Sequence, residues 1–307
     1  MTAFFLRRVA QAIPLLFLVA TLIFSLIHWV PGDPAETMLG EGARPADLAE
    51  LRSRLGLDRP LGEQYLSFLS GLLRFDLGRS LAYEKPVTEL LAERLPRTFE
   101  LALAALAVAL IVSLPLGCLA AIERGKAFDV LARGFAYAGT SIPSFWLGPV
   151  LILVFAIELD ALPVSGRQGV ASLILPALTL GLQGAAMLTR MVRTALADEL
   201  GRPYLRTARA KGLPASRAVV GHGLRNALIP VVTVVGLQFG SLLTGSIVTE
   251  TIFSWPGVGS LLIQAIRLRD YPLVVGSVLL IAVTYVLVNL ATDLLYGWLD
   301  PRVRARS

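Results

Sequence analysis

The side chains in this chain that are able to do chemistry are few, and their spacing argues against catalysis. Ser141 and Ser144 offer hydroxyl nucleophiles, but neither stands in a Gly-x-Ser-x-Gly elbow, and no His-Glu-x-x-His pair occurs. His28 and His222 are far apart, without Cys or acidic partners at ligand spacing, so neither reads as a metal ligand. Cys118 is the single cysteine and lies in an apolar run, which excludes a disulfide framework and a thiolate cluster. Gly125-Lys126-Ala127 lacks both the upstream glycine and the following Ser/Thr of a phosphate-binding loop. What remains is a basic, glycine-punctuated stretch, Tyr204-Leu205-Arg206-Thr207-Ala208-Arg209-Ala210-Lys211-Gly212-Leu213-Pro214, followed by Asn226-Ala227-Leu228-Ile229-Pro230. Its chemistry is recognition. The stretch is too charged to enter a bilayer and too short to be a slack linker.

The elements that must hold this stretch are apolar. Of 307 residues, 55% are apolar and only 16% charged, with a mean hydropathy of +0.69. That composition belongs to a polytopic membrane protein. Six runs approach the roughly 20 helical residues needed to cross about 30 Å of hydrocarbon: Val9–Val30, Leu101–Ile122, Phe135–Ile157, Val170–Thr189, Ala227–Thr249 and Leu273–Thr292. Arg7-Arg8 before the first run imitates a signal peptide, but the run exceeds a typical signal core and five more follow, so it reads as an uncleaved span. The shorter run Val258–Ile266, introduced by Trp255-Pro256-Gly257, reads as an interfacial or re-entrant helix.

Orientation follows from the basic residues of the connections. With the N-terminus inside, the inner segments carry sixteen Lys and Arg, and the two short outer loops carry only Arg167, Arg267 and Arg269. Both termini are therefore expected in the cytoplasm. The net charge of +6 collects beside membrane spans, so it implies lipid surroundings and no nucleic-acid partner. The first connection, Pro31 to Arg97, is close to neutral, with nine basic and eleven acidic residues. Helical spacing at Ala46–Leu51 and Tyr65–Leu69, punctuated by Gly56, Pro60, Gly62 and Gly78, predicts a small external helical subdomain there. Prolines at 14, 115, 143, 149, 176 and 230 read as packing kinks or as hinges beside a cavity.

Ion-coupled carriers place carboxylates or interrupted helices inside the membrane. Here Glu250 and Asp293 are the candidates, and both stand near span ends, where snorkelling or capping serves as well. The chain thus lacks an evident energy source of its own, which weighs against a stand-alone secondary transporter. An intramembrane hydrolase built on Ser141 or Ser144 is disfavoured because His222 falls on the cytoplasmic side. Within Arg190–Arg225, Pro203 suits a first helical position and Gly212 with Pro214 a helix stop. Leu205, Ala208 and Leu213 can share one side, with Arg206, Arg209 and Lys211 pointing elsewhere. A second short helix can start at Ala215. Such a helix fits a protein partner and an anionic lipid surface equally well.

The stretch Tyr204-x-Arg206-Thr207-Ala208-Arg209-Ala210-Lys211-Gly212, with His222-Gly223-Leu224-Arg225-Asn226-Ala227-Leu228-Ile229-Pro230, resembles the coupling region of ATP-binding-cassette importer permeases, most closely the dipeptide, oligopeptide, glutathione and nickel branch. Arg206-Thr207-Ala208 stands where the general importer motif has Glu-Ala-Ala, so no acidic role carries over to position 206. The resemblance extends through Pro31-Gly32-Asp33-Pro34, Leu55-Gly56-Leu57-Asp58-x-Pro60 and Asp76-Leu77-Gly78-x-Ser80. It continues with Gly245-Ser246-x-Val248-x-Glu250, Phe253-x-Trp255-Pro256-Gly257-x-Gly259 and Arg269-Asp270-Tyr271-Pro272.

The resemblance implies an all-α membrane protein with the type I importer permease fold and six transmembrane helices. Its implied divisions are residues 1–95 (first span plus external segment), 96–297 (transmembrane unit) and 298–307 (basic tail). It implies a bacterial inner-membrane location, a second permease subunit, two ATP-binding subunits and a periplasmic solute-binding protein. No cofactor is expected on this chain, with ATP-Mg held by the ATPase. Tyr204, Arg206, Thr207, Ala208, Arg209, Lys211 and Gly212 are the expected ATPase-coupling residues. Glu250, Phe253, Trp255, Pro256 and Gly257 are expected at an outer gate or at a surface where the binding protein docks, with simple capping of the fifth span as the competing role for Glu250. The implied cargo is a peptide or peptide-like solute.

Overall fold

The computed structural model describes residues 2–29, 33–40 and 42–299. Val30, Pro31 and Gly32, and the tail from Asp300, lie outside them, so part of the first family motif and the basic tail are not placed. Among the described residues every regular element is a helix. The first span is α1 (Thr2–Trp29). The helices expected between the first two spans follow as α2 (Pro34–Leu39), α3 (Pro45–Leu55) and α4 (Leu61–Leu73). Local chemistry sets these ends. The Asp33 side chain accepts from Ala35 N and caps α2, and Pro34 and Pro45 occupy first helical positions where no amide hydrogen is needed. Gly56, at φ +67°, closes α3 as Leu57 N bonds back to Arg52 O.

The second span, α5 (Val87–Ile122), runs 36 residues and starts ahead of the apolar run. At 1.5 Å per residue it measures about 54 Å, so it projects well beyond the hydrocarbon. It packs along α8 (Ala171–Leu200) through a seam of small residues. Ala102, Ala105, Ala109 and Ser113 are fully buried, and side chains added at Gly117 or Gly181 would collide with Val192 or with the Ala105 carbonyl. Close approach of this kind is how helices associate when lipid removes the hydrophobic drive.

The third expected span, Phe135–Ile157, is not one helix. α6 (Ala127–Ser141) and α7 (Ser144–Leu151) meet at 104°, and the chain continues as a π-helix over Ile152–Glu158. The cause is Pro143, which drives the preceding Ile142 to extended backbone (φ −86°, ψ 117°). Among the described residues five helices are thus long and apolar enough to cross a membrane, six if the bent pair counts as one span. The other prolines do not break their helices: Pro14, Pro96, Pro115, Pro176 and Pro230 lie inside continuous ones.

After α8 come α9 (Pro203–Ala210) and α10 (Ala215–Ala218), and a π-helical turn, Val219–Leu224, leads straight into α11 (Arg225–Ile252). The short α12 (Val258–Arg267) sits where the apolar run and its Trp-Pro-Gly turn predict it, and α13 (Tyr271–Leu299) is the last span. Ala20 and Ile23 of α1 pack on Leu279 of α13, and Arg8 pairs with Asp293 at 2.8 Å. Asp293 is therefore an ion-pair partner at a helix end.

Candidate functional site

The basic segment is built from α9 outward. Leu205 is 1% exposed, and it and Leu196 of α8 both pack over the bare face of Gly223. The Tyr204 hydroxyl donates to Glu199 Oε2 at 2.5 Å and accepts from Asn226 Nδ2 at 3.1 Å. One side chain thus ties α9 to the end of α8 and to the start of α11. Burial, and then the bond to Glu199, hold the Tyr204 phenol above its ordinary pKa, so it stays a donor well into the alkaline range. Gly212 at φ +88° ends the segment, with Leu213 N bonded to Ala208 O. The inward side carries Leu205 and half-buried Ala208 and Leu213; Arg206, Thr207, Lys211 and Gly212 are exposed. The Arg209 side chain lies outside the described residues. The result is a short helix fixed to two long ones, with its basic face free.

The second group of expected residues converges on Glu250, which is fully buried. Its Oε1 accepts from Thr98 Oγ1 at 2.8 Å and Ser246 Oγ at 3.1 Å, and its Oε2 from Ser260 N at 3.0 Å. Thr98 Oγ1 in turn accepts from Val258 N, and Trp255 Nε1 donates to Arg97 O at 2.9 Å. Gly166 N, from the loop that follows the π-helix, donates to Phe253 O. Two family motifs, the first turn of α12 and α5 therefore meet at one carboxyl group.

Phe253 (1% exposed), Trp255 and Gly257 are interior, and Pro256 is half-buried. Glu250 does not cap its own helix. It accepts from the first turn of α12, across the Trp-Pro-Gly turn.

Two further nodes escaped sequence reasoning. Asp270 Oδ2 accepts from Ser80 Oγ at 2.5 Å and Ala82 N at 3.1 Å, while its Oδ1 accepts from Leu273 N. This joins the Asp76–Ser80 motif to the head of α13, 190 positions away. At the opposite end, Arg193 of α8 grips Asp129 of α6 in a fork, Nε to Oδ1 at 2.5 Å and a terminal nitrogen to Oδ2 at 2.8 Å, with Gly125 N also on Oδ2. Arg133 adds a longer contact at 3.6 Å. An acidic residue beside an apolar run was the only available signal.

Asp129 is 1% exposed, and without Arg193 it keeps Gly125 N and the longer contact to Arg133. Arg193→Leu is expected to cost about 2 kcal/mol, below the roughly 3–5 of a deeply buried pair. Thermal unfolding of the detergent-solubilised protein, compared with Arg133→Leu as a near-neutral control, checks this.

Residues 113–305 match the family model described as binding-protein-dependent transport system inner membrane component, and residues 1–102 match the N-terminal model of such a membrane component. The chain is similar to the dipeptide transport system permease protein DppB of Escherichia coli (strain K12), 44% identical over 339 residues and covering 100% of both chains. It is similar to the glutathione transport system permease protein GsiC of Pectobacterium atrosepticum, 43% identical over 304 residues, 99% of each. Among solved structures, an inward-facing conformation of the MetNI methionine ABC transporter shares the fold, with a TM-score of 0.54 at 22% identity over 69% of this chain and 96% of that one.

Proposed function

The chain belongs to the family of binding-protein-dependent transport system inner membrane components, the permeases of ABC importers, and we propose that it imports peptides or peptide-like solutes by receiving, through α9, the motion of a separate ATPase. It is an ABC importer permease subunit and a multi-pass inner-membrane protein. The family implies ATPase and solute-binding partners. The cargo reading draws on the dipeptide and glutathione permeases it resembles along its whole length.

The observation that carries the coupling role is the mounting of α9. Leu205 is sunk between α8 and the Gly223 turn, Tyr204 bridges Glu199 and Asn226, and Arg206, Thr207, Lys211 and Gly212 face outward. A push on the exposed face passes directly to two spans. A helix that merely lay on lipid would gain nothing from a hydrogen-bonded bolt to both neighbours.

The proposed complex has a second permease (a paralogue), two ATP-binding subunits holding ATP-Mg, and a periplasmic binding protein. Both termini and α9 are cytoplasmic, in keeping with the basic-residue count. Residues 1–95, 96–297 and 298–307 form successive units of the proposed subunit. ATPase closure biases the spans between inward- and outward-facing states because the ATPase contacts α9 differently in each. The Glu250 node forms part of an outer gate, which opens only when its hydrogen bonds to α5 and α12 are exchanged together.

The test is charge reversal on the exposed face. Arg206→Glu with Lys211→Glu is expected to leave membrane insertion intact and to cut solute-stimulated ATP hydrolysis at least tenfold, with less ATPase subunit co-purified. Unchanged co-purification and stimulation would rule out α9 as the coupling element.

A further inference from the structure

We infer that the groove between α8 and α11, flanked by the α6–α7 break, is a transit site that holds the passing solute by its peptide backbone. This rests on the peptide-permease reading and adds to it the place and chemistry of contact. The cavity measures about 520 Å³, within the range of roughly 300–1,000 Å³ that accommodates small molecules. Its polar lining is Thr140 and Ser144 on either side of the break, Gln183 on α8, and Gln238 and Ser241 on α11. No ionisable side chain lines it.

Three observations select the occupant. First, Gln183, Ser241 and Thr140 are exposed within membrane-crossing elements. Thr140 and Ser241 return their hydroxyl hydrogens to their own helices, but a carboxamide such as Gln183 at that depth faces water or protein, since hydrocarbon leaves its hydrogen bonds unmade. The faces that meet lipid look different: exposed Leu15, Phe17, Leu18 and Leu22 on α1, and Leu103 and Ile111 on α5. Second, Gln238 Oε1 is buried beside the groove and has no hydrogen-bond partner among the described residues. Gly184 makes room for that amide, because a methyl group there would overlap it. Third, the polar groups set among apolar Leu180, Met187, Val234, Leu237 and Leu242 are all carboxamides and hydroxyls, each able to both donate and accept. A peptide unit presents one donor and one acceptor, whatever its side chain. With no charge to hold a terminus or an ionic side chain, the groove binds weakly and without charge preference, as passage through a pore requires.

The experiment places charge in the groove. The complete transporter, with its ATPases and binding protein, is reconstituted in vesicles. Uptake of alanyl-lysine and alanyl-glutamate is then compared. Gln183→Glu is expected to shift the uptake ratio about tenfold toward the basic peptide, and Gln183→Lys about tenfold the other way, each a difference of about 1.4 kcal/mol. A ratio unchanged in both variants overturns the inference. If neither variant assembles, Ser241→Cys in a Cys118→Ser background decides. Labelling by a charged, water-borne thiol reagent, slowed by peptide, supports the site. Labelling only by a lipid-soluble reagent, or crosslinking to the second permease with no peptide effect, assigns the groove to lipid or to subunit packing and overturns it. Wild-type vesicles that take up neither peptide sink the peptide reading itself, and this inference with it. Unaltered ratios beside normal wild-type uptake sink this inference alone.

Discussion

Gly257→Ala is expected to unseat the end of the protein built around Glu250. A methyl group at position 257 would overlap the carboxyl carbon and both oxygens of Glu250. The Glu250 side chain cannot move aside without abandoning Thr98, Ser246 and Ser260 N. The position is fully enclosed, so the displaced groups find no water. Overpacking costs about 1–3 kcal/mol, and each stranded buried partner adds about as much again. A loss of at least 3 kcal/mol is expected, read as a drop in thermal unfolding temperature of the purified protein. Gly245→Ala, on the motif that carries Glu250 but with open space around it, is the matched control and should be near neutral.

A second variant separates collision from general damage. Glu250→Ala alone leaves Ser260 N and Thr98 without their acceptor and is itself destabilising. Combined with Gly257→Ala it also removes the group that the new methyl strikes, so the double variant should be no worse than Gly257→Ala alone. Strict additivity of the two losses would show that the glycine is not there for the carboxyl group.

Leu205→Glu is expected to abolish coupling while leaving the spans in the membrane. Leu205 is the fully buried apolar anchor of α9, and the helix has only eight residues, too few to hold itself together in water. Its order comes from docking. A carboxylate in place of Leu205 has no basic partner among the described neighbours Leu196 and Gly223, so it either stays unpaired or pulls the helix away. Tyr204 alone then tethers the segment. Solute-stimulated ATP hydrolysis should fall at least tenfold, with basal hydrolysis by the ATPase subunits retained. Leu205→Met, which conserves volume, should cost less than about 1.5 kcal/mol and keep stimulation. Full stimulation in Leu205→Glu would show that the anchor does not transmit the motion.

Much of this architecture is local, and therefore readable along the chain. Apolar runs of bilayer length mark the spans, and Pro203 and Gly212 bracket α9 because one supplies no amide hydrogen and the other tolerates positive φ. Even the sides of α9 follow from helical spacing, with Leu205 inward and Arg206 and Lys211 outward. The break at Pro143 was not readable. Its flanks, with Gly139, Thr140, Ser141 and Ser144, are more polar than those of Pro115 or Pro176, where the helix runs through, yet they do not end the apolar run. A proline removes one donor in every case, and only the surrounding packing settles whether the chain absorbs that loss or turns.

The same division separates the two candidate sites. The basic face of α9 was legible because charge and periodicity are properties of neighbours in sequence. The burial of Glu250 was not, because its partners include Thr98, 152 positions away, and Asp129 likewise finds Arg193 only 64 positions on. A carboxyl group near a span end has the same sequence signature whether it snorkels, caps or is walled in. Which of these occurs depends on which donors the other helices bring within hydrogen-bonding distance, and only the packed tertiary structure decides that.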